Sequence, residues 1–355
     1  MQKKLIALAL ASLAGSAFAQ SNVTVYGVMD ATFDYVGASK STAAASIKND
    51  GRVSGNSSYL GFKGVEDLGN GLKAVFQIEG GLANDNAGGW GGTSRDTFVG
   101  LSGNFGTVVA GNLTAAARGL GAKVDVNAGA TGIGYQGATY GRIGTARTGV
   151  DDRTANAIAY ISPNFSGFSA LAAWGAGSEQ KDTVARTDNV YSLGLNYDNG
   201  PIYVGYAYTQ VDGKSGANAS VKATSHRLGG YYKFGSVAQV GLLWDRTDAD
   251  THTSNNRRNV YLLNGKFNVT PAGAVIAGYS KAGKVDGVSN TGANHYFVGY
   301  EHSLSKRTVL KAIYAGVKNQ SAVAYNYYNA ATGELANVAA GNDPHGVQIG
   351  IRHSF

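Results

Sequence analysis

Hydrophobic and polar residues alternate with a period of two along most of the chain. From position 22 the odd-numbered residues are mostly apolar and the even-numbered ones mostly polar, and the same period recurs around 72–79, 188–198 and 347–355. Because successive side chains of a β-strand point to opposite faces, this pattern predicts strands with one apolar and one polar face. After position 20 we find no convincing amphipathic helix.

Turn residues divide the chain into sixteen predicted strands, with short Gly-, Asn- and Pro-containing turns alternating with longer polar loops. Strands of about ten residues suit a membrane crossing, and an open edge in hydrocarbon would leave backbone groups unpaired. The predicted fold is therefore all-β, a 16-stranded antiparallel transmembrane β-barrel with short periplasmic turns and long external loops. The strands are expected to begin near residues 22, 56, 72, 93, 107, 154, 167, 187, 201, 222, 237, 256, 273, 293, 307 and 345.

The first nineteen residues predict a secretory signal peptide. Lys3 and Lys4 precede an apolar stretch at 5–13, and Ala17 and Ala19 provide small residues before a cleavage point. A buried N-terminal helix is the alternative. The expected organisation is a signal peptide at 1–19 and a single barrel domain at 20–355.

Composition narrows the chemistry that the chain can carry. The 52 Gly and 21 Tyr suit a β protein, and the absence of Cys excludes disulfides and Cys-ligated metal sites. No apolar run is long enough for a spanning helix. The net charge of +7 is not clustered along one face, so we expect no nucleic-acid partner, and nothing requires a cofactor.

Five segments spread over the chain carry a family resemblance: VTVYGVMD (23–30), LGFKGVEDLGNGLKA (60–74), FVGLSGNFGTV (98–108), SPNFSGF (162–168) and GIRHSF (350–355). In these segments the chain resembles the trimeric general porins of Gram-negative outer membranes, especially the branch found in betaproteobacteria. This resemblance implies sixteen strands, a homotrimer in outer-membrane lipids, and a third loop folded into the lumen as a constriction. It also implies that the terminal Phe355 acts as a recognition element for barrel assembly.

Candidate channel-lining residues follow from strand parity and from the resemblance. The loop at 113–150 matches the family's constriction loop by position and carries four basic residues against one acidic residue, which indicates a mild anion preference. Ala159 and Ile161 stand where related porins often have polar residues. The wall candidates are Asp30, Lys63, Lys73, Glu79 and Arg95, and the loop candidates are Arg118, Lys123, Asp125, Arg142 and Arg147.

The sequence favours a passive outer-membrane channel for ions and small hydrophilic solutes, with no catalytic residues. Three alternatives stay open. A substrate-specific channel would carry aromatic residues along the lumen. A barrel enzyme would use a pair such as Ser303 and His302, although neighbours on a strand point to opposite faces. A soluble secreted β adhesin would bury its apolar faces between sheets.

Overall fold

A computed structural model describes residues 22–39, 46–85, 88–92, 95–127, 132–176, 189–212, 222–250, 255–327 and 337–355. The predicted signal peptide at 1–19 lies outside these residues. The regular structure that is described is almost all antiparallel sheet, with one short helix, α1 (Ala116–Val124), and a 3-10 turn at Gln136–Ala138. The strands are β1 (Asn22–Ser39), β2 (Ile47–Gly55), β3 (Tyr59–Gly69), β4 (Leu72–Ala83), β5 (Gly89–Trp90), β6 (Thr97–Gly103), β7 (Gly106–Thr114), β8 (Arg142–Ile143), β9 (Ala146–Arg147), β10 (Arg153–Ile161), β11 (Phe168–Ala176), β12 (Asn189–Asn199), β13 (Ile202–Asp212), β14 (Lys222–Phe234), β15 (Ala238–Asp250), β16 (Asn255–Asn268), β17 (Gly273–Ala282), β18 (Ala293–Ser303), β19 (Thr308–Asn319) and β20 (Asp343–Ser354).

These strands form a closed barrel of sixteen crossings, which confirms the predicted fold. β2 and β3 pair with successive parts of β1 and together make one interrupted crossing. β5 pairs only with the end of β4, and β8 and β9 form a small separate hairpin. Closure comes from β1 and β20, which pair from Val28 opposite Ser354 to Ser39 opposite Asp343.

One predicted strand boundary differs from the structure. The second crossing begins at Ile47 rather than near Asn56, and Asn56 instead lies in the break between β2 and β3. The break is held by β1, because the Asn56 backbone N–H donates to the Asp30 carbonyl at 2.9 Å and the Asp30 N–H donates to Ser58 Oγ at 2.8 Å. After Ile47, residues 48–52 contain no apolar side chain on either face and therefore lack the alternation on which the prediction depended.

The short turns have the backbone conformation that their residues favour. Between β3 and β4, Asn70 has φ of 53° and Gly71 has φ of 79°. Gly200 (59°) in the β12–β13 turn and Gly235 (57°) in the β14–β15 turn have similar values. Left-handed φ values are accessible to Gly and tolerated by Asn, which explains the choice of residues. All the short turns lie at the end of the barrel that also holds both described termini.

Apolar side chains cover the outside of the barrel. Leu195, Leu242 and Ile349, each near the middle of its strand, are 59–60% exposed on the outward face. Such exposure on every side would be unfavourable in water and suits a surface that faces lipid. No helix in the described part of the chain is both long and apolar enough to cross a membrane.

A packed core lies inside the barrel, against one half of its wall. The connection between β7 and β10 folds inward, and Ala117, Leu120 and Val124 on one face of α1 are buried there. They join inward-facing side chains such as Leu243 and Phe297 in one apolar cluster. The described part of this connection therefore fills one side of the interior and leaves the other side lined by polar residues.

Candidate functional site

The two ends of the inward loop are tied to the wall by Arg227, which projects inward from β14 and is fully buried. Its Nη1 donates to the Ala117 carbonyl and to Asp151 Oδ1, each at 2.5 Å, and its Nε donates to Asp245 Oδ2 at 3.0 Å. The guanidinium also lies 4.0 Å from the centre of the Tyr140 ring. One side chain thus joins the helix, the end of the loop and the barrel.

The middle of the loop is held by two other strands. On β16, Arg258 Nη2 donates to the Thr139 carbonyl at 2.5 Å, and its guanidinium lies 5.1 Å from the centre of the Tyr325 ring. On β18, His295 Nε2 lies 2.9 Å from the Ile133 carbonyl. Because these partners are loop carbonyls, the loop path is fixed largely through its backbone.

Asp125, at the end of α1, is buried between the loop and the wall. Its carboxylate accepts the backbone N–H groups of Asn127 at 2.9 Å and Gln136 at 3.2 Å. Burial raises the pKa of Asp125 to about 6, and the two hydrogen bonds oppose that rise only in part. Burial also raises the pKa of Asp151, against the opposing effect of Arg227. These two carboxylates of the connection are therefore kept away from the water of the lumen, unlike Asp152, which is 38% exposed.

Ion pairs line the inner wall near the closure of the barrel. Arg95 Nε donates to Glu79 Oε2 at 2.6 Å. Arg352 Nη1 donates to Asp30 Oδ2 at 3.1 Å, and Lys311 Nζ donates to the same atom at 2.7 Å. These residues come from strands near both ends of the chain, which the closure of the barrel brings together.

The arginine pairs are oriented with the cation toward water, whereas Lys311 is buried together with Asp30. The side chains of Arg95 and Arg352 are 22% and 26% exposed, whereas those of their partners Glu79 and Asp30 are 9% and 0% exposed. Arg52 and Asp34 show the same asymmetry. Since exposed charges act on mobile ions more directly than charges behind them, this wall presents a positive surface although its formal charges nearly balance.

The remaining predicted wall residues, Lys63 and Lys73, lie on the inner face nearer the short turns. Lys63 Nζ is 4.9 Å from the centre of the Tyr26 ring, and the Tyr26 hydroxyl donates to Glu79 Oε1 at 3.1 Å. Lys73 is exposed and pairs in register with Asp67. Lys63 is therefore connected with the ion-pair wall, while Lys73 lies near the short-turn mouth.

Two predicted loop residues lie on the lumen side of α1. Arg118 Nη1 donates to the Asp151 carbonyl at 2.9 Å. Lys123 Nζ lies 2.9 Å from Asp198 Oδ2 and 5.3 Å from the centre of the Tyr203 ring. The hydrogen bond to Asp198 raises the pKa of Lys123, so it stays charged at neutral pH.

The other two basic loop residues are placed differently. Arg142 is 8% exposed, and its Nη1 donates to the Thr145 carbonyl at 3.3 Å. Arg147, its partner in the β8–β9 hairpin, forms a half-exposed ion pair with Asp152. The structure thus brings Asp30, Lys63, Glu79 and Arg95 together on one wall but does not gather the loop charges into one cluster.

Several charged lumen residues escaped the sequence reasoning. The two-residue alternation along their strands could have placed most of them on the inner face, but nothing in the sequence distinguishes a wall cation from a loop anchor. Among the described residues no group of three or more metal-binding side chains is found. The overlooked residues are Arg52, Arg153, Arg227, Arg258, Lys311 and Arg352.

Comparisons with known proteins agree with this architecture. A family model described as Gram-negative porin matches residues 6–322. Outer membrane porin protein 32 of Delftia acidovorans is 37% identical over 366 aligned residues that cover all of both chains. The solved anion-selective porin from Comamonas acidovorans is 32% identical, with a TM-score of 0.80 over 95% of this chain and 100% of the other. The trimer form of OmpT from Vibrio cholerae, 16% identical with a TM-score of 0.69 over 94% and 99% of the two chains, is similar in fold.

Proposed function

Because this chain belongs to the Gram-negative porin family, we propose that it forms a water-filled channel for passive diffusion of ions and small hydrophilic solutes, with a mild preference for anions. Family membership also makes it an outer-membrane protein and a channel rather than an enzyme. Diffusion down a gradient needs no cofactor and no energy source. Selectivity then depends on the width of the pore and on the charges that line it.

The orientation of the wall ion pairs carries the proposed anion preference. Arg95 and Arg352 face water while Glu79 and Asp30 lie behind them, so a passing ion meets the guanidinium first. Two unit charges 4 Å apart in bulk water interact by about 1 kcal/mol, enough for a several-fold bias. The Comamonas acidovorans relative is described as anion-selective, which supports the same sign for this chain.

The inward loop is proposed to form the constriction. Its predicted limits, 113–150, span α1 and most of the segment that packs inside the barrel. Arg118 and Lys123 on α1 would add positive charge on the loop side of the passage. Asp125 and Arg142 would contribute to the loop's packing rather than to the passage, since both are buried.

Reversal potentials in a planar bilayer test the channel and its selectivity together. The purified protein should give stepwise conductance in KCl, and a KCl gradient should give a potential whose sign indicates chloride preference. A potential of the opposite sign would refute the anion preference. A bilayer that stays sealed after insertion would refute the channel itself.

We also propose that three copies associate through the outward faces of the strands near the termini. On β1, Val25 and Phe33 are 55% and 56% exposed and offer an apolar surface at that position. OmpT of Vibrio cholerae, an outer membrane protein of the same fold, has been solved in a trimer form. Native mass spectrometry in mild detergent should show three times the chain mass, and a purely monomeric species would contradict the proposal.

Two further proposals concern export and assembly. Cleavage after Ala19 should give a mature chain beginning at Gln20, which intact-mass measurement on the outer-membrane protein checks.

Phe355 is proposed to mark the chain for barrel insertion. It pairs with Gly27 through both backbone groups, Gly27 N–H to its carbonyl at 3.2 Å and its N–H to the Gly27 carbonyl at 3.1 Å. Phe355→Ala should lower the amount in the membrane while leaving refolding in detergent intact.

A further inference from the structure

A cavity of about 450 Å³ lies on the outer surface of the barrel, where β14, β15 and β16 approach the long-loop end. On β15, Trp244, Arg246 and Asp248 line this cavity. Asp245 and Thr247, which alternate with them along the strand, are buried inside the barrel. The volume is within the range of small-molecule sites, about 300–1,000 Å³. The cavity therefore faces away from the lumen and is separate from the passage.

Basic residues carry the first charges outside the apolar band on four adjacent strands, β14 to β17. From the middle of each strand toward the long loops, the first Lys, Arg, Asp or Glu on the outward face is basic. These four residues are Lys222, Arg246, Arg257 and Lys281. On β15, Asp248 and Asp250 follow farther out, and Asp250 pairs in register with Lys222. Because lipid headgroups lie just outside the hydrocarbon, they meet positive charge first on this face.

Two of these basic residues share one carboxylate. Arg246 Nε donates to Asp248 Oδ2 at 3.1 Å, and Arg257 Nε donates to Asp248 Oδ1 at 2.5 Å. The arginine side chains are 36% and 40% exposed, whereas that of Asp248 is 19% exposed. Arg257 Nη1 also lies 4.0 Å from Asp286 Oδ2, but that side chain is 61% exposed and such a pair contributes little. The two arginines therefore project past their shared carboxylate and leave one positive charge uncompensated.

An apolar groove of about 680 Å³ continues from the charged cavity along the same outward face. Trp244 lines both, and its Nε1 donates to Asn259 Oδ1 at 3.0 Å. Within the groove, Gly230 leaves a hollow on β14 between Leu228 and Tyr232, which are 47% and 44% exposed. Tryptophan is typical of the boundary between hydrocarbon and headgroups. The charged cavity and the groove thus form one surface that crosses this boundary.

We propose that this surface binds a lipid with a phosphate headgroup, from the leaflet at the long-loop end. The phosphate would contact Arg246 and Arg257, and one acyl chain would lie in the groove beside Trp244. Guanidinium groups bind phosphate oxygens through paired N–H donors. The groove suits an acyl chain and offers nothing to a free phosphate ion. The inference requires that the outward face contacts lipid and does not depend on the selectivity of the channel.

Quenching of Trp244 fluorescence by brominated lipids measures binding at this surface. Trp90→Phe/Trp174→Phe gives a parent protein in which Trp244 is the remaining tryptophan. In vesicles that mix phosphatidic acid and phosphatidylcholine with the same acyl chains, brominating one lipid and then the other gives their relative affinity. One uncompensated cation near a membrane surface favours an anionic lipid about fivefold, equivalent to about 1 kcal/mol. The parent protein should therefore prefer phosphatidic acid about fivefold.

The variant Arg246→Gln/Asp248→Asn/Arg257→Gln, made in the parent protein, removes the uncompensated charge and leaves no unpaired carboxylate. It should bind the two lipids equally, and quenching by brominated phosphatidylcholine shows that it is folded in the membrane. Lys306→Gln is the control, because it changes the net charge by the same amount in the exposed turn between β18 and β19, at the opposite end of the barrel. It should keep the fivefold preference.

The outcomes distinguish this inference from its rivals. Equal affinities in the parent protein, a preference that the triple variant keeps, or a preference that Lys306→Gln also loses would each refute the site. Inorganic phosphate at millimolar concentration and constant ionic strength should leave the preference unchanged, and its loss would mean that the arginines bind free phosphate rather than lipid. If neither brominated lipid quenches Trp244, the outward face does not contact lipid, and the proposed membrane channel fails as well.

Discussion

At the scale of single residues, the lumen shows that the sign of a charged surface depends on which partner of each pair faces water. Glu79 is 9% exposed and its partner Arg95 is 22% exposed, and Asp30 is fully buried behind Arg352. A count of charged residues in the sequence gives nearly equal numbers of acidic and basic side chains on this wall. Burial of the carboxylates, which no sequence pattern shows, decides the potential that an ion meets.

Arg95→Gln should therefore lower the chloride preference more than its single charge suggests. The change removes an exposed cation and leaves Glu79 unpaired at the lumen surface, and we expect the chloride-to-potassium permeability ratio to fall about fivefold, equivalent to about 1 kcal/mol. Reversal potentials in a KCl gradient measure it. Lys306→Gln, in the exposed turn between β18 and β19, is the control and should leave the ratio unchanged. Equal permeability ratios for the two variants would contradict the role of Arg95 in the chloride preference.

Gly27 is a second residue whose identity the structure explains. A Cβ at this position would lie 2.5 Å from the Tyr59 carbonyl oxygen and 2.6 Å from the Phe355 ring, and the backbone atom cannot move aside easily. Gly27→Ala should destabilise the barrel by about 1–3 kcal/mol in urea unfolding from lipid vesicles. Gly265→Ala is a matched strand variant, since its nearest atom would be 3.4 Å away. A Gly27 variant as stable as the Gly265 variant would be inconsistent with this account.

At the scale of elements, the loop is held by side chains of the barrel more than by its own regular structure. α1 has only nine residues and no side-chain cap at its start. The alternation of apolar and polar residues in the sequence predicted the strands of the barrel wall, because each strand has one face toward lipid and one toward the interior. The same alternation is missing from most of Ile47–Gly55, and it says nothing about the path of the loop.

Replacement of Arg227 should release both ends of the loop. Arg227→Met leaves Asp245 and Asp151 without their main partner, and breaking such a buried pair costs about 3–5 kcal/mol. The expected result is large fluctuation of the open-channel current, with trypsin cleaving at Arg118 or Lys123 in the folded protein. Arg246→Met, at a partly exposed site on the outer face, should show neither effect. A quiet, protease-resistant Arg227 variant would show that the loop is held by other contacts.

Asp125 should make the loop sensitive to pH. Because burial raises its pKa from 3.8 to about 6, the packed loop binds a proton more tightly than the unpacked loop does. This contribution, roughly 3 kcal/mol at most, is present below about pH 4 and is lost as the pH rises through about 6. Hydrogen exchange at residues 132–140, corrected for intrinsic rates, should be faster at pH 7.5 than at pH 5. Asp125→Asn should abolish that difference, and a difference that persists would exclude Asp125 as its cause.

At the scale of the whole molecule, the barrel is apolar outside and polar or loop-filled inside, the reverse of a soluble domain. Leu195 and Asn196 show this on adjacent positions of β12, since Leu195 is 60% exposed outward and Asn196 accepts a hydrogen bond from Tyr203 inside. Fold class, strand number and closure followed from the sequence for this reason. Contacts between the loop and distant strands could not be predicted, because they depend on shapes that only the closed barrel creates.

Opposite faces of one strand should therefore respond differently to the same substitution. Leu195→Lys places a charge against lipid and should cost about 2–4 kcal/mol of folding free energy. Asn196→Lys places it toward the lumen and should cost about 1 kcal/mol, for the lost hydrogen bond. Urea titrations of folding into lipid vesicles measure both. Equal costs would mean that the outward face does not contact lipid.

The pairing of β1 with β20 has a consequence for how the molecule is made. Arg352 reaches Asp30 across 322 positions of sequence. The first strand therefore cannot complete its pairing until the last strand is present. Until then both strands keep unsatisfied edges that could join to neighbouring polypeptides. Loss of the last strand alone should therefore leave the first strand with an open edge and prevent closure of the whole barrel.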